Sequence, residues 1–394
     1  MKLLLEGWRG ISQSIALVNQ FQALALLSRN DVQLFHRDLP YPNGWDSTRQ
    51  ASGFSPQDVA RIAAIPAYAD EPVDAEYRIS GTCHSKEPGD ARRVVTFMVT
   101  ELGLVPSNFV PGTDLGFFTR GENVIVAPAA WTRDRIVEAG FAAERVRVVP
   151  HGVDRTIFYP LPPIERATVR QRLGFAPDET ILLNIAGPFW NKGVDLLLEA
   201  FAALRARGRR VRLLMKDQSS LYGLDMKKTI QQVGARCPAL LTAETLGAIS
   251  LIPAMLDHAQ LRELFAVADA YVSPYRAEGF NLPVLEAIAC DVPVVVTAGG
   301  VTDDFCPEPL ATRVPADAGA LEAEPGFPPR RFLQTRVDDL VEAMDRVCQA
   351  GAVRPEGWRT AREAVLNDFS WDRAAAMLLD CAGLRDVEPT AAIP

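Results

Sequence analysis

Several features are scarce in this chain of 394 residues, and each scarcity excludes a class of protein. No stretch approaches the roughly 20 consecutive apolar residues that cross a bilayer as a helix. The apolar opening meets Glu6 and Arg9 too early for the apolar core of a secretion signal. We therefore expect no membrane-spanning segment, and we interpret the opening as a first buried strand.

The residues that form disulfides and metal sites are few and scattered. The six cysteines contain no C-x-x-C pair, and the four histidines lack the spacing of metal ligands. A disulfide framework is unusual in a chain of this size. We expect reduced thiols, a cytoplasmic location and no bound metal.

An excess of positive charge is also lacking. Lysine and arginine number 41 against 49 aspartate and glutamate, which gives a formal net charge of −8. Such a chain is a poor general binder of nucleic acid, although a few local cations still suffice for a nucleotide phosphate. Weak peripheral association with the inner face of a membrane stays open, although no basic amphipathic helix argues for it. The oligomeric state is not readable.

Short apolar runs alternate with helical patterns along the chain, as in parallel sheets with crossover helices. The length suits two domains, and a proline cluster at 160–163 marks the boundary. We predict an N-terminal Rossmann-like domain over 1–160, a second over 161–368 and a terminal helix within 369–394. The segment Leu310–Pro329, rich in proline, glycine and alanine, is predicted to be irregular.

The strongest motif follows a predicted buried strand and opens a predicted helix. Pro283 suits the start of that helix, where its missing N–H is not needed. The loop before it would present backbone N–H groups at the positive helix end, which favours an anion. Glu278 and Glu286 frame the loop, and as acceptors they suit sugar hydroxyls rather than the anion. The loop consists of Gly279, Phe280, Asn281 and Leu282.

A second motif places a lysine at the start of another helix. The predicted strand Ile181–Ile185 is followed by a loop from Gly187 through Lys192 to Gly193, and an amphipathic helical pattern comes next. Lys192 would bring a positive charge to a phosphate near that helix N-terminus. Lys216 ends the next predicted strand and could reach the same region.

These two motifs resemble those of the family-four retaining glycosyltransferases of GT-B fold, the glycosyl transferases group 1. The spacing of Glu278 and Glu286, with the residues between them, resembles the family's E-x-x-x-x-x-x-x-E motif. The resemblance implies that Glu278 contacts the hexose hydroxyls of the donor and that Glu286 holds the nucleotide ribose. It also implies that amides of the intervening loop bind the diphosphate and sugar.

The lysine motif departs from the family in one position. The loop around Gly187 and Lys192 looks like the family's diphosphate loop, but Pro188 stands where an arginine is usual. A bidentate phosphate contact is therefore missing, and Lys216 is the candidate to compensate.

The resemblance is diffuse over the first half, where it implies an acceptor domain across a cleft from the donor domain. There, the loop holding Gly10 follows the first strand and can approach the donor. Where many relatives carry a cleft histidine, Thr100 and Glu101 are the nearest polar residues. Glu101 could orient the acceptor hydroxyl or stabilise developing charge on the sugar, and His84 is a rival on a neighbouring segment. The terminal helix of such relatives crosses back to the N-terminal domain.

The sequence thus indicates an α/β protein of GT-B fold with two Rossmann-like doubly wound domains. Its expected activity is retaining hexosyl transfer from a nucleotide-diphosphate sugar to a hydroxyl acceptor, with no cofactor and no essential metal. The acceptor stays open among glycans, as in polysaccharide biosynthesis, lipid-linked sugars and small metabolites. Two alternatives remain: a GT-B nucleotide-sugar epimerase, or a catalytically degenerate sugar-binding protein.

Overall fold

The computed structural model describes residues 1–42, 45, 52–217, 223–351 and 353–383. The chain forms two compact units. The first contains Met1–Gly152, Glu322–Arg330 and the chain from Phe369 onward, and the second contains Val153–Leu321 and Arg331–Asp368. The domain roles assigned from the sequence stay a prediction.

The first unit is built on a six-stranded parallel sheet in the order β2-β1-β3-β4-β5-β6. Its apolar strands are covered on both faces, and Leu3, Leu4 and Leu5 are fully buried. Such continuous apolar runs are typical of parallel sheets. The strands are β1 (Lys2–Gly7), β2 (Gln33–Asp38), β3 (Ala75–Ile79), β4 (Arg93–Phe97), β5 (Val124–Ala127) and β6 (Val146–Val148).

Four α-helices lie in the part of this unit that the structure describes. The first three are α1 (Ser14–Leu27), α2 (Pro56–Ala63) and α3 (Ala130–Glu138), and the last helix of the chain is α12 (Trp371–Cys381). Helix α12 packs on α1, with the rings of Phe21 and Trp371 stacked at 5.0 Å between centroids.

The second unit contains another six-stranded parallel sheet, in the order β12-β11-β10-β7-β8-β9. A separate two-stranded sheet pairs β13 with β14. The strands are β7 (Thr180–Ile185), β8 (Val211–Lys216), β9 (Ile249–Ile252), β10 (Ala270–Ser273), β11 (Val294–Thr297), β12 (Ala311–Val314), β13 (Ala316–Leu321) and β14 (Arg330–Thr335).

The described part of the second unit contains eight α-helices. In chain order they are α4 (Pro163–Arg172), α5 (Val194–Ala206), α6 (Met226–Gly234), α7 (Ala243–Gly247), α8 (His258–Val267), α9 (Leu282–Ala289), α10 (Val337–Ala350) and α11 (Trp358–Asp368). The core lies between α5, α10 and the sheet, where Leu197, Phe201 and Leu340 are fully buried.

The predicted α/β class with two Rossmann-like sheets is confirmed. The prediction of irregular structure over Leu310–Pro329 is wrong, because β12 and β13 lie within that segment. Leu310 and Val314 are fully buried at the sheet edge, and this packing outweighs the weak strand propensity of alanine and glycine. Among the described residues, no helix has the length and apolarity needed to cross a membrane.

Candidate donor-binding site

The strand order places the two sequence motifs side by side. After β7 the chain adds β8 and β9 on one side of the sheet, and then returns to add β10 on the other side. The loops that leave β7 and β10 therefore diverge from neighbouring strand ends. Ligands of open α/β sheets bind at such switch points, beyond the carboxyl ends of the strands.

Backbone hydrogen bonds join these two loops. The carbonyl of Asn191 accepts from the amides of Arg276 (2.7 Å) and Ala277 (3.1 Å). Gly193 has a φ of 67°, and a Cβ there would lie 1.9 Å from the carbonyl oxygen of Pro274. Only glycine permits this close approach and this backbone conformation together.

The junction brings Lys192 and Glu278 into contact. Lys192 Nζ donates to Glu278 Oε2 at 2.7 Å. Both side chains are largely buried, with 18% and 12% of their surfaces exposed. Solvent and salt screen a partly buried ion pair less than a surface pair. A cation and a carboxylate are therefore held together in the loops that follow β7 and β10.

The loop after Glu278 leads into α9 through a left-handed residue. Asn281 has a φ of 73°, and its Nδ2 donates to Ser273 Oγ at 2.9 Å. Phe280 is buried and stacks on Phe305 at 4.9 Å. These contacts fix the loop that starts at Gly279, and Leu282 is the first helical residue. The proposed binding of phosphate oxygens by the amides of this loop stays a prediction.

Glu286 lies within α9 and is 9% exposed. Burial raises the pKa of its carboxyl to about 8. A carboxyl so disposed is a ready hydrogen-bond partner for a ligand hydroxyl, because it lacks the hydration that an exposed carboxylate has.

Lys216 and Gly187 lie at neighbouring strand ends. Lys216 ends β8, is buried, and donates from Nζ to the carbonyl of Asp217 at 2.7 Å. Burial lowers the pKa of Lys216, while the charge of Asp217 opposes that change. Gly187 follows β7, and a Cβ there would lie 2.8 Å from the ring of Phe189. Compensation by Lys216 for the missing arginine stays a prediction.

Arg276 is a site residue that the sequence analysis missed. Its guanidinium makes two 2.8 Å hydrogen bonds to Asp195 at the start of α5. It also donates to the carbonyl of Trp190 (2.7 Å) and to Gln334 of β14 (2.8 Å). Arg276 thus fixes the loop that contains Lys192 to the loop that contains Glu278. Its position in the apolar stretch before Glu278 was the available signal, since buried arginines require several partners.

The predicted residues of the first unit have local partners. The amide of Gly10 donates to Gln20 Oε1 at 2.9 Å. Thr100 Oγ1 accepts from the amide of Gly103, and the carbonyl of Glu101 accepts from the indole of Trp131. These contacts order the turns after β1 and β4, and the roles assigned to Gly10, Thr100 and Glu101 stay predictions.

His84 belongs to a buried charge cluster beside β1. Its Nε2 lies 2.7 Å from Glu6 Oε1, and Arg37 Nη1 lies 2.7 Å from Glu6 Oε2. Burial alone would raise the pKa of Glu6, but the hydrogen bonds to His84 and Arg37 lower it to about 2. The acceptor-side role of His84 stays a prediction, and the observed contact is structural.

Metal ligands do not cluster in the part of the chain that the structure describes. There, no group of three or more histidine, cysteine, aspartate or glutamate side chains could hold an ion. All six cysteines carry free thiols.

The match to a protein-family model lies within the second unit. Residues 165–306 match the family model described as glycosyl transferases group 1. A D-inositol 3-phosphate glycosyltransferase of Actinosynnema mirum is 32% identical over 68% of this chain and 60% of its own length. A mannosylfructose-phosphate synthase of Agrobacterium fabrum is 28% identical over 46% of this chain and 39% of its own length. The chain thus aligns with less than two thirds of the length of these relatives.

Solved structures extend the similarity in fold over nearly the whole chain. A glycosyltransferase of Rickettsia africae has a TM-score of 0.69 at 13% identity, and 97% of each chain is covered. The Anabaena protein HepE, solved in complex with UDP-glucose, has a TM-score of 0.64 at 16% identity over 96% of this chain and 99% of its own. These likenesses confirm the GT-B fold predicted from the sequence. The family model separately identifies residues 165–306 as a region of the glycosyl transferases group 1 type.

Proposed function

We propose that the protein transfers a hexosyl unit from a nucleotide-diphosphate sugar to a hydroxyl acceptor, with retention of anomeric configuration. The contact between Lys192 and Glu278 carries this proposal. It supplies one cation for a diphosphate and one carboxylate for sugar hydroxyls, at the switch point of the sheet where ligands of this fold class bind.

When the donor binds, Lys192 and Glu278 would contact different parts of it. The diphosphate oxygens would take the ammonium of Lys192, and the hexose hydroxyls would donate to the carboxylate of Glu278. Glu286 would accept from the ribose, and the start of α9 would direct its amides at the phosphate. Lys216 is proposed as a second cation, in place of the arginine that Pro188 replaces.

Bond cleavage would generate an oxocarbenium-like sugar and a departing diphosphate. Lys192 and the loop amides would stabilise the negative charge that develops on the leaving oxygen, because their positions are fixed beforehand. The leaving phosphate would take the proton of the acceptor hydroxyl as the new C–O bond forms on the same face. Glu101, Thr100 and His84 are proposed to orient the acceptor, and Gly10 to adjoin the donor.

The proposal also names a donor and an acceptor to test first. UDP-glucose is the first donor to test, since the similar HepE fold was solved with it. Inositol 3-phosphate is a reasonable first acceptor, because the relative from Actinosynnema mirum is named for it. Glycans and lipid-linked sugars remain in the acceptor set, and the latter would require weak association with a membrane surface.

Turnover in site variants tests the proposal. We expect Glu278→Gln and Lys192→Gln each to lower kcat/KM at least a hundredfold, because each removes a charge used in the transition state. Lys228→Gln is the matched control, since Lys228 is an exposed lysine on α6 of the same unit. Wild-type turnover in both site variants would refute the site.

Product analysis separates the two alternatives. The replacement of the usual arginine by Pro188 favours a degenerate sugar-binding protein, which would show donor binding without turnover. An epimerase would convert the donor sugar with no acceptor present. Detection of a glycosylated acceptor in the α configuration from an α-linked donor would exclude both.

The reaction is proposed to need no metal and no further cofactor. Lys192 and the start of α9 supply the positive charge that a cation would bring. Full activity after dialysis against EDTA is the expected result, and a loss that Mg²⁺ or Mn²⁺ restores would contradict it. We further propose a cytoplasmic location, which suits six free thiols.

A further inference from the structure

A cavity of about 830 Å³ lies in the second unit, away from the proposed donor site. Its lining includes Pro177, Asp269 and Val292, which precede β7, β10 and β11 respectively. The cavity therefore opens at the amino-terminal edge of the sheet, whereas the loops of Lys192 and Glu278 leave the carboxyl-terminal edge. Its volume falls within the roughly 300–1,000 Å³ of small-molecule sites.

Two of the arginines that line the cavity share one carboxylate. Arg166 Nη2 lies 2.6 Å from Asp269 Oδ1, and Arg170 Nη1 lies 3.1 Å from Asp269 Oδ2. Both side chains also donate to main-chain carbonyls at the end of α8, including that of Val267. Arg166 Nη1 donates to no acceptor in the described part of the chain.

A third arginine in the lining, Arg354, forms no ion pair with the carboxylates that the structure describes. Arg354 donates from Nη2 to the carbonyl of Asp291 (2.9 Å) and from Nη1 to that of Gly351 (3.3 Å). Within the described residues its Nε is buried and has no acceptor. Burial lowers the pKa of Arg354, the charge of Asp291 opposes this change, and the charge of Arg166 adds to it.

The remaining acidic residue of the lining is already engaged. Asp291 Oδ1 accepts from the indole of Trp358 at 2.6 Å and lies 3.9 Å from Arg362 Nε. The lining thus contains three arginines and two carboxylates. The carboxylate of Asp269 is shared by two of the arginines, and that of Asp291 already accepts from Trp358. An excess of positive charge in a recess of a chain with a net charge of −8 needs a physical reason, and a bound anion supplies it.

We propose that this cavity binds the phosphate group of a phosphorylated small metabolite. The phosphate would lie between Arg354 and Arg166, whose guanidiniums suit phosphate oxygens by shape and charge. Phe175 and Pro163 line the same cavity and would contact the carbon skeleton. The ligand would be distinct from the proposed donor, because it would occupy the opposite edge of the sheet.

Binding of glucose 6-phosphate, measured by calorimetry and thermal shift at constant ionic strength, tests this site. We expect a saturable rise in Tm with glucose 6-phosphate and none with glucose. Inorganic phosphate should give a weaker saturable shift, since it lacks the carbon skeleton. The absence of saturable binding by both phosphates, or a shift that follows ionic strength alone, would overturn the proposal.

A pair of charge variants locates the ligand. Ala167 lines the cavity and is exposed, so Ala167→Glu should weaken glucose 6-phosphate binding at least tenfold by repelling the phosphate. Thr168→Glu introduces the same charge at the next residue, outside the lining, and should bind like the wild type. Equal effects of the two variants would mean that only overall charge matters, which would refute the site.

Two further variants keep the test decisive. Arg354→Gln, checked for native circular dichroism, should also lose binding, and it covers the case in which Ala167→Glu fails to fold. Lys192→Gln should retain glucose 6-phosphate binding even though it disables the proposed donor site. Loss of glucose 6-phosphate binding in Lys192→Gln, with wild-type binding in Arg354→Gln, would place the phosphate at the donor loops. That result would overturn this inference while leaving the proposed transfer activity intact.

Discussion

At the scale of single residues, the burial of Glu286 predicts a specific dependence of stability on pH. Its pKa is raised from 4.5 to about 8 in the folded protein. The unfolded chain therefore loses this proton first as the pH rises, and the folded state keeps it. The free energy of unfolding should fall between about pH 4.5 and 8 by up to roughly 3–5 kcal/mol from this group.

The variant Glu286→Gln isolates that contribution. A neutral amide of similar shape carries no ionisation penalty, so the variant should gain stability over the wild type at about pH 8.5 but not at about pH 5. Urea unfolding at both pH values measures the difference. Glu356→Gln, at an exposed position of the same unit, is the control and should follow the wild type. Parallel pH curves for Glu286→Gln and the wild type would contradict the prediction.

The sequence predicted the individual residues of the donor loops better than their contacts. Glu278 and Lys192 stand in motifs whose spacing is local, so each could be recognised without knowledge of the sheet. Their 2.7 Å contact depends on β7 and β10 being neighbours, which no local pattern encodes. Arg276 was missed for the same reason, because its partners Asp195 and Gln334 lie far away in the sequence.

At the scale of elements, the junction between the loops after β7 and β10 rests on Gly193. Gly193→Ala would introduce a Cβ 1.9 Å from the carbonyl oxygen of Pro274, and the loops would have to separate. We expect nucleotide affinity to fall at least tenfold, because Lys192 would shift away from Glu278. The free energy of unfolding should drop by about 2–4 kcal/mol, from the clash and from the left-handed backbone together.

Gly208 provides a matched control for this substitution. It has a similar φ, 79°, but a Cβ there would meet nothing within 4 Å. Gly208→Ala should therefore lose only the backbone term of roughly 1 kcal/mol and keep its nucleotide affinity. Chemical denaturation and nucleotide titration of the two variants measure both effects. Equal losses of affinity would show that close packing at Gly193 does not hold the site together.

Some helices and strands were not predicted from the sequence, and the structure shows why. The proline cluster at the predicted boundary was interpreted as a break, yet Pro163 begins α4, where proline fits without losing a hydrogen bond. Strand β13 is poor in strand-forming residues and takes its structure from pairing with β14, the next strand along the chain. The amphipathic pattern after Lys192 and Gly193 correctly predicted α5, because burial of an apolar face is encoded locally.

At the scale of the whole molecule, the last helix completes the first unit. Trp371 is buried and stacks on Phe21 at 5.0 Å and on His151 at 5.8 Å. A Cβ at Gly152 would lie 2.2 Å from the backbone nitrogen of Trp371, so the chain here is closely packed. The first unit therefore depends on residues that are more than 200 positions away from its sheet.

The variant Trp371→Ala should destabilise the first unit by about 3–5 kcal/mol, the usual cost of deleting a buried tryptophan side chain. Nucleotide binding in the second unit should persist, because the donor loops belong to that unit and the helix belongs to the first. Calorimetric unfolding with and without UDP measures both effects: an early transition should appear, and the nucleotide should raise only the later one. Asp372→Ala, at the next and exposed position, should unfold like the wild type. A single transition that UDP still shifts as a whole would mean that the two units unfold as one cooperative structure.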